Sequence, residues 1–119
     1  MKFIVSLSAA LAIFCGFYAN ATLAAGPASF AACAACHSVD GTNGLGPSLK
    51  GVVGRKAGTA AGFTFSPAMK RSGLTWDEKT LDSFLADPQK VVAGNTMPFP
   101  GVADAKERTE IITYLKAPQ

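Results

Sequence analysis

Two cysteines three positions apart, followed at once by a histidine, constrain this chain more than any other feature: Cys33-Ala34-Ala35-Cys36-His37. C-x-x-C-H is the attachment signature of a c-type haem. The spacing has a chemical reason. Residues three apart on a helix lie on nearly the same face. Both thiols then reach the two vinyl groups along one side of a porphyrin and form thioethers. The next residue turns under the ring and puts an imidazole nitrogen on the iron. A zinc site would need a fourth ligand, and the chain has neither a second histidine nor, outside its apolar leader, a third cysteine. A thioredoxin-like redox pair would need a βαβ context, and strand signals here are weak. A disulfide is the usual reading of two cysteines in an exported protein, but His37 beside Cys36 redirects it.

Export itself is read from the first residues. Met1-Lys2 gives a positive start, and Phe3 to Tyr18 is apolar apart from Ser6 and Ser8. Ala19-Asn20-Ala21 places small residues where a signal peptidase reads them. Residues 1–21 are therefore expected to be a cleaved signal peptide, with cleavage after Ala24 as the second choice. The apolar run is shorter than the ~20 residues needed to span a bilayer; a retained membrane anchor is the rival reading. Residues 22–119 then form a single domain. A domain of that size is marginal on hydrophobic burial alone, and a large apolar cofactor at its centre would help hold it. The net charge of +3 and the absence of any long Lys/Arg run exclude a nucleic-acid footprint.

The pattern along the chain is all-α, with four to five short helices and long loops. Pro27 to Cys36 is expected to form the first helix, with Pro27 at its first position. Glycines and Pro47 make residues 38–62 irregular. Ser66-Pro67 reads as a cap and first residue of a short helix ending before Gly73. Thr75 and Glu78 form a capping-box pattern for a helix over 75–87, with Trp76, Leu81, Phe84 and Leu85 on one face. Asp87-Pro88 ends it, and a short turn follows before Gly94. Asp104 to Lys116 is the last helix, with Arg108, Ile111, Ile112 and Leu115 along one stripe. Loops this long in a small domain need a reason, and wrapping a cofactor is one.

His37 is the single histidine, which excludes a bis-histidine haem. Two methionines lie outside the leader. Met69 falls in the short helix after Ser66, where core packing explains it. Met97 falls in Gly94-Asn95-Thr96-Met97-Pro98-Phe99-Pro100, an aperiodic loop where a core methionine is less expected. Met97 is therefore the expected sixth ligand, its soft thioether favouring the reduced iron and raising the potential. Two axial ligands leave no position for substrate or oxygen.

From Gly26 to Lys116 the sequence resembles the class I cytochromes c, near the mitochondrial-like branch with soluble bacterial members. Gly26 and Phe30 before the motif, and Ile111 with Tyr114-Leu115-Lys116 near the end, look like that family's crossing first and last helices. The resemblance implies that the Pro47 carbonyl, in Gly46-Pro47-x-Leu49, accepts a hydrogen bond from the proximal imidazole. It implies that Arg55, in Gly54-Arg55-Lys56-x-Gly58, lies near a haem propionate, and that Trp76 bonds one. Phe99, two residues after Met97, matches the aromatic that covers the ring. There are departures. Phe84 stands where many members have a tyrosine that bonds the methionine sulfur, and Phe65 replaces another that bonds a propionate. The docking lysines are thinner, with Lys79 and Lys90 as candidates and Thr96 before Met97.

The expected function is a soluble one-electron carrier with one covalent haem c per chain and His37/Met97 ligation. It would be a periplasmic monomer that shuttles electrons between donor and acceptor redox proteins, with membrane complexes as the expected partners. No catalytic triad, paired-carboxylate site or phosphate loop supports an enzyme. Two alternatives remain: a cytochrome c tethered by its uncleaved leader, and a haem enzyme with peroxidase-like activity through weak Met97 ligation.

Overall fold

The computed structural model describes residues 26–117. The expected leader and both of its cleavage positions lie outside that range. Among the described residues five α-helices follow one another: α1 (Ala31–Ala34), α2 (Pro67–Arg71), α3 (Glu78–Ala86), α4 (Pro88–Val91) and α5 (Ala105–Lys116). No strand occurs among the described residues; one isolated bridge pairs Lys56 with Thr75. The all-α expectation holds.

Helices this short have too few internal hydrogen bonds to persist alone, so packing decides where they form. The centre of that packing is α5, which lies across α3 and across the turn that opens the domain. Ile111, Ile112 and Leu115 are buried on one stripe of α5. Phe30 is 2% exposed, and its ring centroid lies 4.9 Å from that of Tyr114. Gly26 lets the two segments meet: its φ is +69°, and a Cβ there would fall 2.9 Å from the Tyr114 ring.

The first helix differs from the expected Pro27–Cys36. Residues Ala28–Phe30 form a 3₁₀ turn, and only Ala31–Ala34 are α-helical. Pro27 sits before the helix in extended geometry, and its carbonyl accepts from the Phe30 N–H. The tighter turn starts from the close contact between Gly26 and Tyr114, which local propensity does not report.

The start of α3 also differs. Thr75 does not cap it; Asp77 does, with its carboxylate accepting from the Thr80 N–H at 2.7 Å. That bond holds the Asp77 carboxyl below its ordinary pKa. The reason for the later start lies outside the segment. The Ala57 N–H donates to Leu74, the Trp76 N–H to Arg55, and the Gly54 N–H to Trp76. The backbone of 74–76 is committed to residues 54–57 and cannot enter a helix, so Trp76 stands in extended chain rather than on the helix face.

Other boundaries fall where the sequence places them. The Ser66 hydroxyl caps α2 by accepting from the Met69 N–H at 3.1 Å. Asp87 closes α3 in extended geometry and caps α4, and Asp104 caps α5. A partly buried tie joins α5 to α3. Arg108 Nε meets Asp82 Oδ1 at 2.7 Å, and Arg108 Nη1 donates to the carbonyls of Val102 and Ala103 at 2.9 Å.

The Gly26–Tyr114 approach has a direct test. Gly26→Ala adds a methyl where no room exists, in a backbone region that suits glycine. Overpacking of this kind costs about 1–3 kcal/mol, which a guanidinium melt should show as a lower midpoint.

Candidate functional site

The helices and loops enclose a mostly apolar cavity of about 480 Å³, within the range of roughly 300–1,000 Å³ usual for ligand and cofactor sites. Every site residue expected from the sequence lines it: Cys33, Cys36, His37, Pro47, Arg55, Trp76, Met97 and Phe99. These come from separate stretches of chain.

The backbone of the motif turns so that its three functional residues stay together. The N–H groups of Cys36 and His37 both donate to the Cys33 carbonyl, at 3.1 and 2.9 Å. Both cysteines are half-buried free thiols. Burial pushes the Cys33 thiol above its ordinary pKa.

His37 Nδ1 lies 2.7 Å from the Pro47 carbonyl oxygen. A carbonyl only accepts, so Nδ1 carries the proton and donates it. The tautomer is thereby fixed, and Nε2 keeps the lone pair that a metal would take. The imidazole also lies against Gly46, where an added Cβ would come 2.4 Å from His37 Cε1 and 2.7 Å from Nδ1. The glycine makes the cradle, and the next residue supplies the acceptor.

This 44–49 loop is itself fastened. The Gly46 N–H donates to Cys36 and the Leu49 N–H to Ser38. The Ser48 N–H donates to Asn43 Oδ1 at 2.9 Å, and the Ser48 hydroxyl accepts from the Gly41 N–H at 3.0 Å. Arg55 closes the loop from the far side, with Nη2 donating to the Ser48 carbonyl and Nη1 to that of Lys50, both at 3.1 Å. Partial burial lowers the Arg55 pKa, yet a guanidinium keeps its charge. Arg55 therefore brings a positive charge to the cavity wall and holds the loop that carries Pro47.

Trp76 is 7% exposed and leans on Phe84, ring centroids 4.9 Å apart. Phe63 and Phe65 meet edge to face at the same separation and also line the cavity. Met69 lines it too, so two thioethers border the space, where core packing alone was expected of Met69. Met97 differs in its setting: its N–H is held by Asn95 Oδ1 at 2.9 Å. Neither Asn95 nor the Ser48–Asn43 network is marked by a short motif, because their partners are backbone groups set by loop folding. Sequence reasoning missed both.

The donor set fits a covalent haem. Two thiols, an imidazole with one nitrogen already committed, a thioether and a cationic guanidinium line one apolar cavity. Gly46→Ala tests the cradle. The added methyl should displace the imidazole and break its bond to Pro47; the His37 Nδ1–H proton resonance should be lost or shifted in NMR spectra.

Comparison with known proteins agrees. The family model for cytochrome c matches residues 23–118. The chain is 55% identical to cytochrome c2 iso-2 of Magnetospirillum fulvum over 92 residues, covering 76% of this chain and 96% of that protein. It is 50% identical to cytochrome c2 of Rhodoblastus acidophilus over 93 residues, covering 76% and 87%. The solved structure of cytochrome cH from Methylobacterium extorquens superposes with a TM-score of 0.72 at 56% identity, covering 74% of this chain and 90% of that one. The chain belongs to the cytochrome c family, and is an electron carrier, not an enzyme, with one covalently attached haem c.

Proposed function

We propose that Cys33 and Cys36 would hold the haem through thioethers, and that His37 Nε2 and the Met97 sulfur would ligate its iron. The His37–Pro47 bond carries this reading, because it readies one nitrogen of the single histidine for a metal. When bound, the haem supplies an iron that gains or loses one electron while no covalent bond is broken. The residues around it do the rest. The Pro47 carbonyl makes the imidazole a better donor by drawing on its N–H. The Met97 thioether, a soft ligand, favours the reduced iron and raises the potential. Val52, Leu81 and Phe84 exclude water from the cavity wall. Arg55 and Trp76 are the proposed partners of the propionates, and Phe99 the cover of the ring.

The carrier is read as a periplasmic monomer, cleaved after Ala21 or Ala24, that meets membrane redox complexes rather than nucleic acid. Its leader supports the location. No helix of the described residues is long and apolar enough to cross a membrane.

Two measurements test this. The ferric protein should show the weak near-infrared band of sulfur-to-iron charge transfer, and Met97→Ala should lose it. A high-spin iron in the unmodified protein would instead favour the open-site, peroxidase-like alternative. Mass spectrometry of protein from the membrane-free fraction should give the chain from residue 22 or 25 plus one haem; an intact leader would favour the tethered form.

A further inference from the structure

The segment that carries Met97 is tied down at both ends and almost nowhere between. At its far end, the Val102 N–H donates to the Leu85 carbonyl at 2.7 Å. Arg108 holds the carbonyls of Val102 and Ala103. Gly101 lies so close to α3 that a Cβ would fall 2.4 Å from the Ala86 oxygen. Between the ends, the Phe99 N–H donates to the Met97 carbonyl at 2.9 Å, and Pro98 and Pro100 have no N–H to give.

At the near end stands one side chain. Asn95 is 7% exposed, and its amide is used on both sides. Nδ2 donates to the carbonyls of Pro88 and Val92, at 3.0 and 2.9 Å. Oδ1 accepts the N–H of Met97 itself at 2.9 Å. An asparagine amide has two donor hydrogens and one acceptor oxygen, and here both hydrogens and the oxygen are engaged. Gln89 adds a second tie around it: Nε2 donates to the Asn95 carbonyl at 3.0 Å, and Oε1 accepts from the Gly94 N–H at 3.2 Å. The pair joins the residue proposed as the sixth ligand to α4.

We propose that Asn95, backed by Gln89, is a positioning residue that keeps the Met97 sulfur on the iron. This rests on the reading of Met97 as the axial ligand. The physical case is one of competition. A thioether bond to iron is weak enough for an added ligand to displace, and displacement requires Met97 to swing away. Where the loop moves with it, the Met97 N–H leaves a buried acceptor, and a buried polar group left without a partner is costly. Asn95 thus raises the cost of opening the site without touching the iron.

The test uses the ferric holoprotein and imidazole as the competing ligand, in the parent protein and in Asn95→Ala, Gln89→Ala, Met97→Ala and Gly26→Ala. Asn95→Ala should bind imidazole about tenfold more tightly, the equivalent of one buried hydrogen bond. Its near-infrared band should weaken, and the Met97 amide should exchange with solvent faster. Gln89→Ala alters an exposed side chain and should move all three in the same direction by less. Gly26→Ala loses stability at the helix crossing and should leave imidazole affinity unchanged, which separates positioning from general destabilisation. If Asn95→Ala does not fold, Gln89→Ala decides, and an unchanged affinity there overturns the proposal. A normal band in the parent protein with unchanged affinity in both variants overturns the clamp alone. A parent protein without the band, or Met97→Ala that retains it, overturns the Met97 reading and the clamp with it.

Discussion

The hydrogen bond from His37 to the Pro47 carbonyl is the point on which the rest of the structure turns. It sets which nitrogen of the one histidine is basic. It also requires the chain to bring residue 47 back beside residue 37, and the whole 38–50 loop is built to do so. Ser38, Asn43 and Ser48 bond within the loop, and Arg55 fastens it from outside. Gly46 is forced by the same contact, because any larger residue would occupy the ring's place. Loops of this length persist in a small domain when their backbone groups find partners, and here those partners are largely the loop's own polar side chains.

Features that depend on neighbours along the chain are legible in the sequence. The haem motif, the Ser66-Pro67 start of α2, the Asp87-Pro88 break and the buried stripe of α5 all follow from spacing or from the chemistry of one or two residues. The family resemblance adds Pro47, Arg55, Trp76 and Phe99, and all four line the cavity. Features that depend on distant chain are not legible. Thr75 and Glu78 have the pattern of a capping box, yet Thr75 is paired with Lys56 and the helix begins after Asp77. Pro27 has the chemistry of a first helical residue, yet the contact of Gly26 with Tyr114 sets a tighter turn. Asn95 reads like any polar loop residue, because its partners are main-chain atoms that have no sequence signature.

The cavity is apolar where water would interfere and charged at one wall. Phe84 and Phe65 contribute bulk without hydroxyls, so the polar handles near the site come from elsewhere: Arg55, the indole of Trp76 and the backbone around Asn95. Met69 adds a second thioether to the lining, a flexible side chain suited to filling irregular space. The protein meets the demands of electron transfer with few polar groups.

The ties between α4 and the methionine loop also work in the other direction. A helix of four residues is a single turn with little stability of its own. The Asn95 amide adds a bond to the Pro88 carbonyl, which already accepts the Val92 N–H within the turn, and another to the Val92 carbonyl just beyond it. The short helix and the loop therefore support each other through these bonds. In native-state hydrogen exchange, amides from Lys90 to Met97 should therefore share one opening event.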